Sequence, residues 1–548
     1  MAVRDVLKCF GNHIKTTKHV ALWNIYFLFK LYLDVIGAIN INVPLNLLFL
    51  LFIVLPVGSR LQCNGTFTVC KTAVGMFLAL LLLWNESWLP SLVETGHLIQ
   101  QYGIPSIGYV QSFVKEAVSM SVIVSFVIVL LVSYFLGSYK RLSIVIMAVA
   151  ITVTPVLRGI NGALHPSQVA QTDEAEAVEK DPAKYLESFY AKESERMIVF
   201  KQPGSGDPPF DVVILHICSM GWEDLREIGI TPDDPFFKEF DYLFTDFNSV
   251  TGYSGPAVIR LLQSNGGQRS NRDIYSSSTP KEYFLYESLA SQGYERYIAM
   301  DHDGKYGNFN SILKKNGLNG AKLITHDNLS PSAVFFDGKT PLFSDFKVFK
   351  KWLDTRNNSK AARAALYYNT VMLHSGSTWV GEKKWSGRDS HDQYKDVSSV
   401  VLKDIKKMIE LLKSTKRNTI LILVAEHGRA LTGSPFQPPD LRDIPLPRIT
   451  KVPMAVKLIG PKFASAKVNQ TVVSKPTSYF ALSWLLSKFV EHSPFGATTE
   501  ASQELASRIP KTDFVSENDD AKIVETGGVY YYMGKTNKWI PLTSAQLK

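Results

Sequence analysis

The chain has 548 residues, which is too long for one ordinary domain, and 46% of them are hydrophobic. The formal net charge is +9, yet both signs of charge mix through the polar part, and no basic patch is interleaved with aromatic residues. This pattern argues against nucleic-acid binding and favours a solvated surface, with attraction to an anionic bilayer as a second contribution. The apolar residues crowd into the first 157 positions, so the sequence predicts a membrane part followed by a globular part.

Five apolar stretches make up the membrane part, at about 20–39, 43–57, 72–89, 119–137 and 142–157. The third and fourth approach the roughly 20 residues that a helix needs to cross a bilayer. Lys30 and Asp34 lie four residues apart in the first stretch and therefore on one helical face. Because charges are costly in lipid, we expect this face to point into the bundle, where the two side chains can pair.

Basic residues flank the predicted spans on one side, at Arg4, Lys8, Lys15, Lys18, Arg60, Lys71, Lys140 and Arg141. The positive-inside rule makes that side cytoplasmic, and an odd number of spans places everything after Pro155 on the other side. In a bacterium that side is the periplasm. The alternative is four spans with a cytoplasmic domain. No convincing cleavage site follows the first span, so it is interpreted as an uncleaved anchor.

The predicted organisation is an anchor of five helices over residues 1–157, a periplasmic linker over 158–193 and a periplasmic domain over 194–548. This corresponds to a multi-pass protein of the bacterial inner membrane. In the last part, strands are predicted at 211–217, 419–425 and 451–458, and helices at 182–197, 222–228, 282–292, 344–355, 396–414 and 477–490, with a hairpin at 529–540. Alternating strands and helices predict an α/β sandwich, in which ligands bind beyond the carboxyl ends of the strands.

Two predicted strands end at residues that suit a metal. Cys218 follows the first strand, and as the only cysteine of the globular part it has no disulfide partner there. It is either a small buried hydrophobe or a thiolate ligand. Glu426 and His427 follow the strand at 419–425. Both can reach one metal only if the strand ends there and the chain turns, which Gly428 permits. The alternative is a capped strand end with an incidental histidine.

A third candidate is Ser254, which lies between a predicted strand and an apolar run that begins at Ala257. Ser254 suits a helix N-cap, and Pro256 suits the first helical turn. The same position would present a hydroxyl beside N–H groups that attract phosphate, and a nearby metal would activate it as a nucleophile. His374 follows a strand-like segment at 367–373, and Arg442 lies in a polar loop and suits phosphate recognition. Structural roles are equally compatible with these last two.

Together these residues resemble the alkaline phosphatase superfamily and, within it, the phosphoethanolamine transferases, in particular the cellulose-modifying BcsG type. The resemblance is carried by the following stretches: 23–27, Ile217-Cys218-Ser219, Phe247-Asn248-Ser249, Tyr253-Ser254-Gly255-Pro256-Ala257, Ile259-Arg260-Leu261-Leu262, Leu373-His374, Glu426-His427-Gly428 and Leu441-Arg442-Asp443-Ile444-Pro445.

The resemblance implies one zinc ion held by Cys218, Glu426, His427 and the nucleophile Ser254. It also implies a substrate site lined by Tyr253, His374 and Arg442, with His374 as acid or base. Cys218 and Ser254 stand where lipid A-modifying relatives have a carboxylate and a threonine, which favours the cellulose branch. Some members of that branch have a cysteine pair after the nucleophile helix. Residues 264–283 contain none, so we expect packing to hold this loop.

The implied donor is phosphatidylethanolamine, the implied acceptor is a glucose 6-hydroxyl of nascent cellulose, and the implied partners are the cellulose synthase subunits of the inner membrane. Three alternatives stay open. A hydrolase of the sulfatase or phosphatase kind is disfavoured, because Val258 stands where the Cys/Ser-x-Pro-x-Arg motif requires arginine. The others are a transferase that acts on another acceptor, such as lipid A, and a non-catalytic scaffold of the secretion complex.

Overall fold

The computed structural model describes residues 23–35, 39, 41–55, 65–87, 120–136, 142–153, 181–381, 390–434, 437–464, 468–496, 502–535 and 537–547. These residues fall into two compact units. One contains the described residues up to 153 together with 437–438, and the other contains the remaining described residues, from 181 onward.

The first unit is helical. Its helices span 23–35, Val43–Val54, Gly65–Glu86, Met120–Leu136 and Leu142–Val153. Each overlaps one of the five predicted stretches, although the third begins at Gly65, earlier than predicted. In the described part of the chain, one helical segment, Val69–Glu86, is long and apolar enough to cross a membrane. Large apolar side chains such as Leu48 (62% exposed) and Leu80 (67%) point outward, as expected of helices surrounded by lipid.

The predicted pairing of Lys30 with Asp34 is wrong. Lys30 Nζ instead forms an ion pair with Glu86 at the end of the third helix, and it also donates to Asn46 Oδ1. Asp34 accepts a hydrogen bond from the backbone N–H of Ile41. Residues four apart on one helix can pair, but Lys30 pairs with Glu86 on another helix, where both side chains are buried. These buried polar groups join the first three helices at one end.

The second unit is built on an eight-stranded sheet with the order β11-β2-β10-β9-β1-β7-β3-β4. All the neighbouring pairs are parallel except the two that involve β10. The strands of this unit are β1 (Asp211–Ile217), β2 (Tyr242–Asn248), β3 (Tyr294–Met300), β4 (Lys322–Leu323), β5 (Ala333–Val334), β6 (Pro341–Leu342), β7 (Arg363–Thr370), β8 (Thr378–Trp379), β9 (Thr419–Ala425), β10 (Lys451–Ile459), β11 (Thr471–Val473), β12 (Val515–Glu517), β13 (Lys522–Thr526), β14 (Val529–Met533) and β15 (Trp539–Pro541).

Helices cover the sheet, and each of the six predicted helices corresponds to one of them, although the helix predicted at 396–414 begins six residues earlier, at Ser390. They span Pro182–Ser194, Trp222–Glu227, Ser254–Leu262, Leu285–Ser291, Phe309–Leu313, Asp345–Asn357, Ser390–Ser414, Pro447–Thr450, Tyr479–Glu491, Ser502–Arg508 and Ser544–Leu547. The α/β prediction for this part is therefore confirmed. β5, β6 and β8 form a small second sheet, and the predicted hairpin β14–β15 belongs to a third, with the order β12-β13-β14-β15.

The central strands are apolar and buried on both faces, as parallel strands under helices must be. Every residue of β1 and β9 is buried. Their register pairs Ile217 with Ala425, so the two strands end side by side. β7 also pairs with β1, where Thr370 lies opposite Ile217. The carboxyl ends of β1, β7 and β9 thus meet at one edge of the sheet.

The loop after the Ser254–Leu262 helix, at 264–283, was expected to be held by packing. Hydrogen bonds hold it as well. Arg269 Nη1 donates to Thr279 Oγ1 at 2.9 Å, and Gln268 Nε2 donates to the carbonyl of Val515 at 2.9 Å. Gln263 Nε2 donates to the carbonyl of Ile274 at 3.0 Å. Long polar side chains therefore make the cross-links of this loop.

Candidate functional site

The structure brings Cys218, Glu426 and His427 together at the shared edge of β1 and β9. One potential ligand atom from each lies within 4.8 Å of the others, and all three residues are buried. The backbone continues the sheet bonding into this cluster, since Glu426 N–H donates to the carbonyl of Ile217 at 2.9 Å. Beyond Ala425 the chain turns, and Glu426 and His427 reach the same point. Neighbouring residues on a continuing strand would point to opposite faces.

Ser254 joins this cluster from the start of its helix. Its Oγ lies 3.4 Å from Cys218 Sγ and 3.3 Å from His427 Nε2. The prediction that Ser254 is the N-cap is wrong, because Tyr253 occupies the N-cap and Ser254 is the first helical residue. As a result, the Ser254 hydroxyl points at Cys218 and His427 and is not used as a helix cap. Ser254 thus stands beside the ligand cluster at a helix N-terminus.

Burial controls the protonation of the cluster. It raises the pKa of Cys218 to about 12, helped by the nearby Glu426 carboxylate. It raises the pKa of Glu426 to about 7, against the opposing effects of Ser254 and Asn369. Burial also holds the pKa of His427 well below its ordinary value, and the positive charge of Arg442 adds to this. Without a cation, the thiol keeps its proton and the imidazole is neutral at pH 7.

The protonation and geometry of these side chains fit a zinc ion. His427 Nδ1 lies 2.7 Å from the carbonyl oxygen of Gly428, which can only accept, so Nδ1 carries the proton and Nε2 presents its lone pair to the cluster. Glu426 Oε2 is buried and makes no hydrogen bond within the described part of the chain. Thiolate, imidazole and carboxylate are the ligands that zinc prefers. The donor set and the unsatisfied oxygen both match such an ion.

Asn369, a residue of β7 that sequence reasoning missed, orients Glu426. Its Nδ2 donates to Glu426 Oε1 at 2.7 Å and to the carbonyl of His216 at 3.0 Å. Its Oδ1 lies 2.9 Å from His302 Nε2, which fixes the amide orientation. Support of this kind behind a ligand is typical of metal sites. An amide that follows the largely apolar run 364–368 near the end of a strand is the sequence signal that would have found it.

Asp224 anchors the chain immediately after His427. Its carboxylate accepts from the backbone N–H groups of Arg429 at 2.6 Å and Leu431 at 2.8 Å. Glycine is needed around it, because a Cβ on Gly428 or on Gly221 would lie 2.7 Å from Asp224 Oδ2. The turn that Gly428 permits is therefore held in place by a buried carboxylate from the Trp222–Glu227 helix.

Arg442 lies against the Ser254 loop. Its Nε donates to the carbonyl of Gly252 at 3.1 Å, and its Nη1 lies 3.3 Å from the carbonyls of Arg429 and Asp440. A Cβ on Gly252 would come within 2.4 Å of the Arg442 carbonyl oxygen, so only glycine allows this approach. In the described part of the chain no carboxylate forms an ion pair with Arg442, although the residue is only 7% exposed. A buried positive charge held by carbonyls suits an anionic ligand.

Tyr253 and His374 complete the predicted set. Tyr253 hydroxyl donates to Asp443 Oδ1 at 2.7 Å, and its ring centroid lies 5.9 Å from the Arg442 guanidinium. His374 lies four residues beyond the end of β7, because that strand ends at Thr370 and not at 373 as predicted. His374 Nδ1 donates to the carbonyl of Ser375 at 2.8 Å, and its ring stacks on Phe336. Burial, with Arg442, lowers its pKa to about 3, so the imidazole is neutral.

The fold and site define a class: an α/β domain with a buried candidate metal centre and a serine at a helix N-terminus beside it. The sequence places the chain more narrowly. Residues 166–539 match the model of the cellulose biosynthesis protein BcsG C-terminal domain, and residues 23–154 match that of the BcsG N-terminal domain. The chain belongs to the BcsG family, which confirms the resemblance inferred from its sequence.

Individual proteins similar to this chain include the cellulose biosynthesis proteins BcsG of Escherichia coli K12, 28% identical, and of Salmonella typhimurium LT2, 29% identical. Both alignments cover 95% of each chain. Among solved structures, a protein of the alkaline phosphatase superfamily from Vibrio parahaemolyticus is 13% identical, with a TM-score of 0.47 over 67% of this chain and 94% of the other. The integral membrane lipooligosaccharide phosphoethanolamine transferase A of Neisseria meningitidis is 11% identical, with a TM-score of 0.41 over 88% and 98%.

Proposed function

We propose that the chain is a zinc-dependent phosphoethanolamine transferase that modifies cellulose, with phosphatidylethanolamine as the donor and a glucose 6-hydroxyl as the acceptor. The observation that carries this proposal is the position of Ser254 Oγ, 3.4 Å from Cys218 Sγ and 3.3 Å from His427 Nε2. Membership of a cellulose biosynthesis family supports the acceptor. The alkaline phosphatase superfamily, to which the sequence resemblance points, supports phosphoryl transfer through a side-chain hydroxyl.

The first half of the reaction loads the serine. Ser254 Oγ attacks the phosphorus of the lipid, the bond from phosphorus to the diacylglycerol oxygen breaks, and diacylglycerol leaves with a proton. Cys218, Glu426, His427 and Ser254 would hold one zinc ion, which supplies a Lewis acid that favours the ionised hydroxyl. Arg442, held by backbone carbonyls and without a carboxylate ion pair in the described part of the chain, stabilises negative charge on the phosphoryl oxygens. Tyr253 borders the same space through its contact with Arg442.

The second half releases the group to the polymer. The glucose 6-hydroxyl attacks phosphorus, the bond to Ser254 Oγ breaks, and the proton of the sugar hydroxyl must be removed. His374 can accept it, because its Nδ1–H is bonded to Ser375 and its Nε2 lone pair is therefore available. With its pKa lowered to about 3, the imidazole is unprotonated before the substrate binds, but it is then only a weak base. Binding of the anionic phosphoryl group would bring that pKa back up.

The helical unit has a role in this proposal. Five spans over residues 1–157, a linker over 158–193 and a catalytic domain over 194–548 would place Ser254 on the periplasmic side of the inner membrane, beside the lipid donor. The outward-facing apolar side chains of the described helices support membrane insertion. Subunits of the cellulose synthase complex are the proposed partners of these spans, because the acceptor must arrive as it is secreted.

The nucleophile is tested with membranes that contain the full chain and fluorescent phosphatidylethanolamine. Ser254→Ala should abolish release of fluorescent diacylglycerol, at least 10³-fold, because the bond to phosphorus cannot form. Ser264→Ala is the matched control, since this buried serine bonds Ser483 at 2.6 Å outside the site. Undiminished release by Ser254→Ala would overturn the assignment, and release by neither variant nor wild type would overturn the donor.

The acceptor is tested separately by solid-state NMR of the secreted polysaccharide. Cellulose from cells with the wild-type protein should carry phosphoethanolamine, and cellulose from cells with Ser254→Ala should not. Modified lipid A in place of modified cellulose would show another acceptor. Free phosphoethanolamine alone would show a hydrolase. A purified chain without bound zinc and without activity would indicate a scaffold.

A further inference from the structure

The four-stranded sheet near the end of the chain contacts the site through Asn518, which follows β12. Its Oδ1 accepts from Thr251 Oγ1 at 2.7 Å and from the backbone N–H of Gly252 at 3.1 Å. Its Nδ2 donates to the carbonyls of Arg442 at 2.7 Å and Asp443 at 2.9 Å. Two donor hydrogens and two acceptor positions are all the amide has, and all four are used.

The partners determine which way this amide faces. A backbone N–H can only donate, so Oδ1 must face Gly252, and backbone carbonyls can only accept, so Nδ2 must face Arg442 and Asp443. No other side chain of this size offers both groups. An aspartate would keep the bonds to Thr251 and Gly252 but would place a carboxylate oxygen against two carbonyl oxygens, which repel it.

The two segments joined by Asn518 are the ones whose separation matters for the proposed reaction. One leads directly into Ser254, and the other carries Arg442. Two further hydrogen bonds join these segments directly, from Arg442 Nε to the carbonyl of Gly252 and from the Tyr253 hydroxyl to Asp443 Oδ1. Neighbours of Asn518 reinforce the same junction. Glu517 N–H donates to the carbonyl of Val250 at 2.8 Å, and Ser516 Oγ donates to the carbonyl of Pro445 at 2.6 Å.

We infer that Asn518 is a positioning residue of the phosphoryl-transfer site, setting the distance between the Ser254 hydroxyl and the Arg442 guanidinium. This inference rests on the proposed function for its kinetic consequence. It assigns the C-terminal sheet a part in the site and makes no claim on the metal ligands, because Asn518 has no hydrogen bond to Cys218, Glu426 or His427 in the described structure.

The test compares Asn518→Asp with the wild-type full-length protein. We expect kcat/KM for diacylglycerol release to fall about 100-fold, while zinc per chain, measured by elemental analysis, stays unchanged. Asn265→Asp is the matched control, because Asn265 is also buried and its amide donates to Ser288 Oγ at 2.8 Å, away from the site. It should lower the melting temperature comparably but leave kcat/KM within about twofold.

A double-mutant cycle separates positioning from general damage. If Asn518 acts through Arg442, adding Asn518→Asp to Arg442→Ala should cost little more than Arg442→Ala alone. The inference is overturned if the loss of kcat/KM in the double mutant equals the product of the two single losses. It is also overturned if Asn518→Asp keeps the wild-type kcat/KM.

Hydrogen exchange makes the inference independent of the activity. In Asn518→Asp, amides of 249–254 and 440–446 should exchange faster than in wild type, and those around Cys218 and His427 should not. If the wild type has no transferase activity but exchange changes in this pattern, the proposed function fails and the positioning role stands. Unchanged exchange in both loops would overturn the positioning role itself.

Discussion

Two buried polar clusters, one in each unit, offset the free-energy cost of burying polar groups in opposite ways. Among the membrane helices, Lys30, Glu86 and Asn46 pair with one another, so each charge has its counter-charge inside the cluster. At the sheet edge, Cys218, Glu426 and His427 converge, and in the described part of the chain no lysine or arginine forms an ion pair with them. A buried polar cluster that neutralises itself holds helices together, whereas one that gathers donors around a missing positive charge is suited to bind a cation.

The largest effect should come from removing one of the three candidate metal ligands. Cys218→Ala should leave close to no zinc where the wild type carries about one ion per chain, and transferase activity should fall with it, because structural and catalytic zinc sites depend on each ligand. Elemental analysis of the purified protein measures the ion. The fold should survive, since the change removes a buried polar group. Full zinc occupancy in this variant would remove Cys218 from the proposed ligand set.

Breaking the ion pair between Lys30 and Glu86 should instead lower the stability of the helical unit. Glu86→Gln leaves the Lys30 charge buried without its counter-ion, at an expected cost of about 3–5 kcal/mol to the helical unit. Thermal unfolding in detergent, followed by size-exclusion chromatography, measures it. Adding Lys30→Met should recover most of the loss, because both charges are then gone. The zinc content of the protein should not change, and a fall in it would contradict the separation of roles.

The pH dependence of zinc binding sharpens the contrast. In the metal-free protein burial raises the pKa of Glu426 to about 7 and that of Cys218 to about 12. Below pH 7 both must release a proton on binding, and above it only Cys218 must. Zinc affinity should therefore rise about 100-fold per pH unit below 7 and about tenfold above it. Competition with a chelator measures both slopes; equal slopes would show that Glu426 is already ionised.

Removing a residue that hydrogen-bonds a candidate ligand should lower zinc affinity less than removing the ligand itself. Asn369→Ala removes the donor that holds Glu426 Oε1 at 2.7 Å, and zinc affinity should fall about 10- to 100-fold. The comparison is with Gln292→Ala, which removes another buried amide, one that bonds the carbonyl of Phe200 at 3.3 Å, away from the site. Chelator competition distinguishes the two, and equal zinc affinity in both variants would make Asn369 purely structural.

The smallest effect is expected at Tyr253. Tyr253→Phe removes the hydroxyl that donates to Asp443 at 2.7 Å but keeps the ring beside Arg442. A loss of about three- to tenfold in kcat/KM is expected, the equivalent of one hydrogen bond. Steady-state release of diacylglycerol measures it. A loss as large as that of Ser254→Ala would mean that the hydroxyl takes part in the chemistry.

Sequence reasoning found the residues that stand at strand ends, because position alone marks them. Cys218 and Glu426-His427 follow apolar runs, and the sheet brings such ends together. It missed Asn369 and Asn518, whose partners lie on other strands and in distant loops. Neither has a motif, and their hydrogen bonds exist only once the chain has folded. The Lys30 partner was wrong for the same reason, since local spacing suggested Asp34 and the fold provided Glu86.

The bond from Gly252 to Asn518 joins residues 266 positions apart. A protein made from its N-terminus onward therefore has Ser254 long before it has the side chain that completes the loop around it. Contacts so distant in sequence form late, because the intervening chain must first be ordered. Under the proposed topology and donor, the last sheet must dock before Ser254 and Arg442 reach their relative positions, and a chain still crossing the membrane should not react with lipid. The order of folding would then delay the proposed transfer reaction until the chain has been exported.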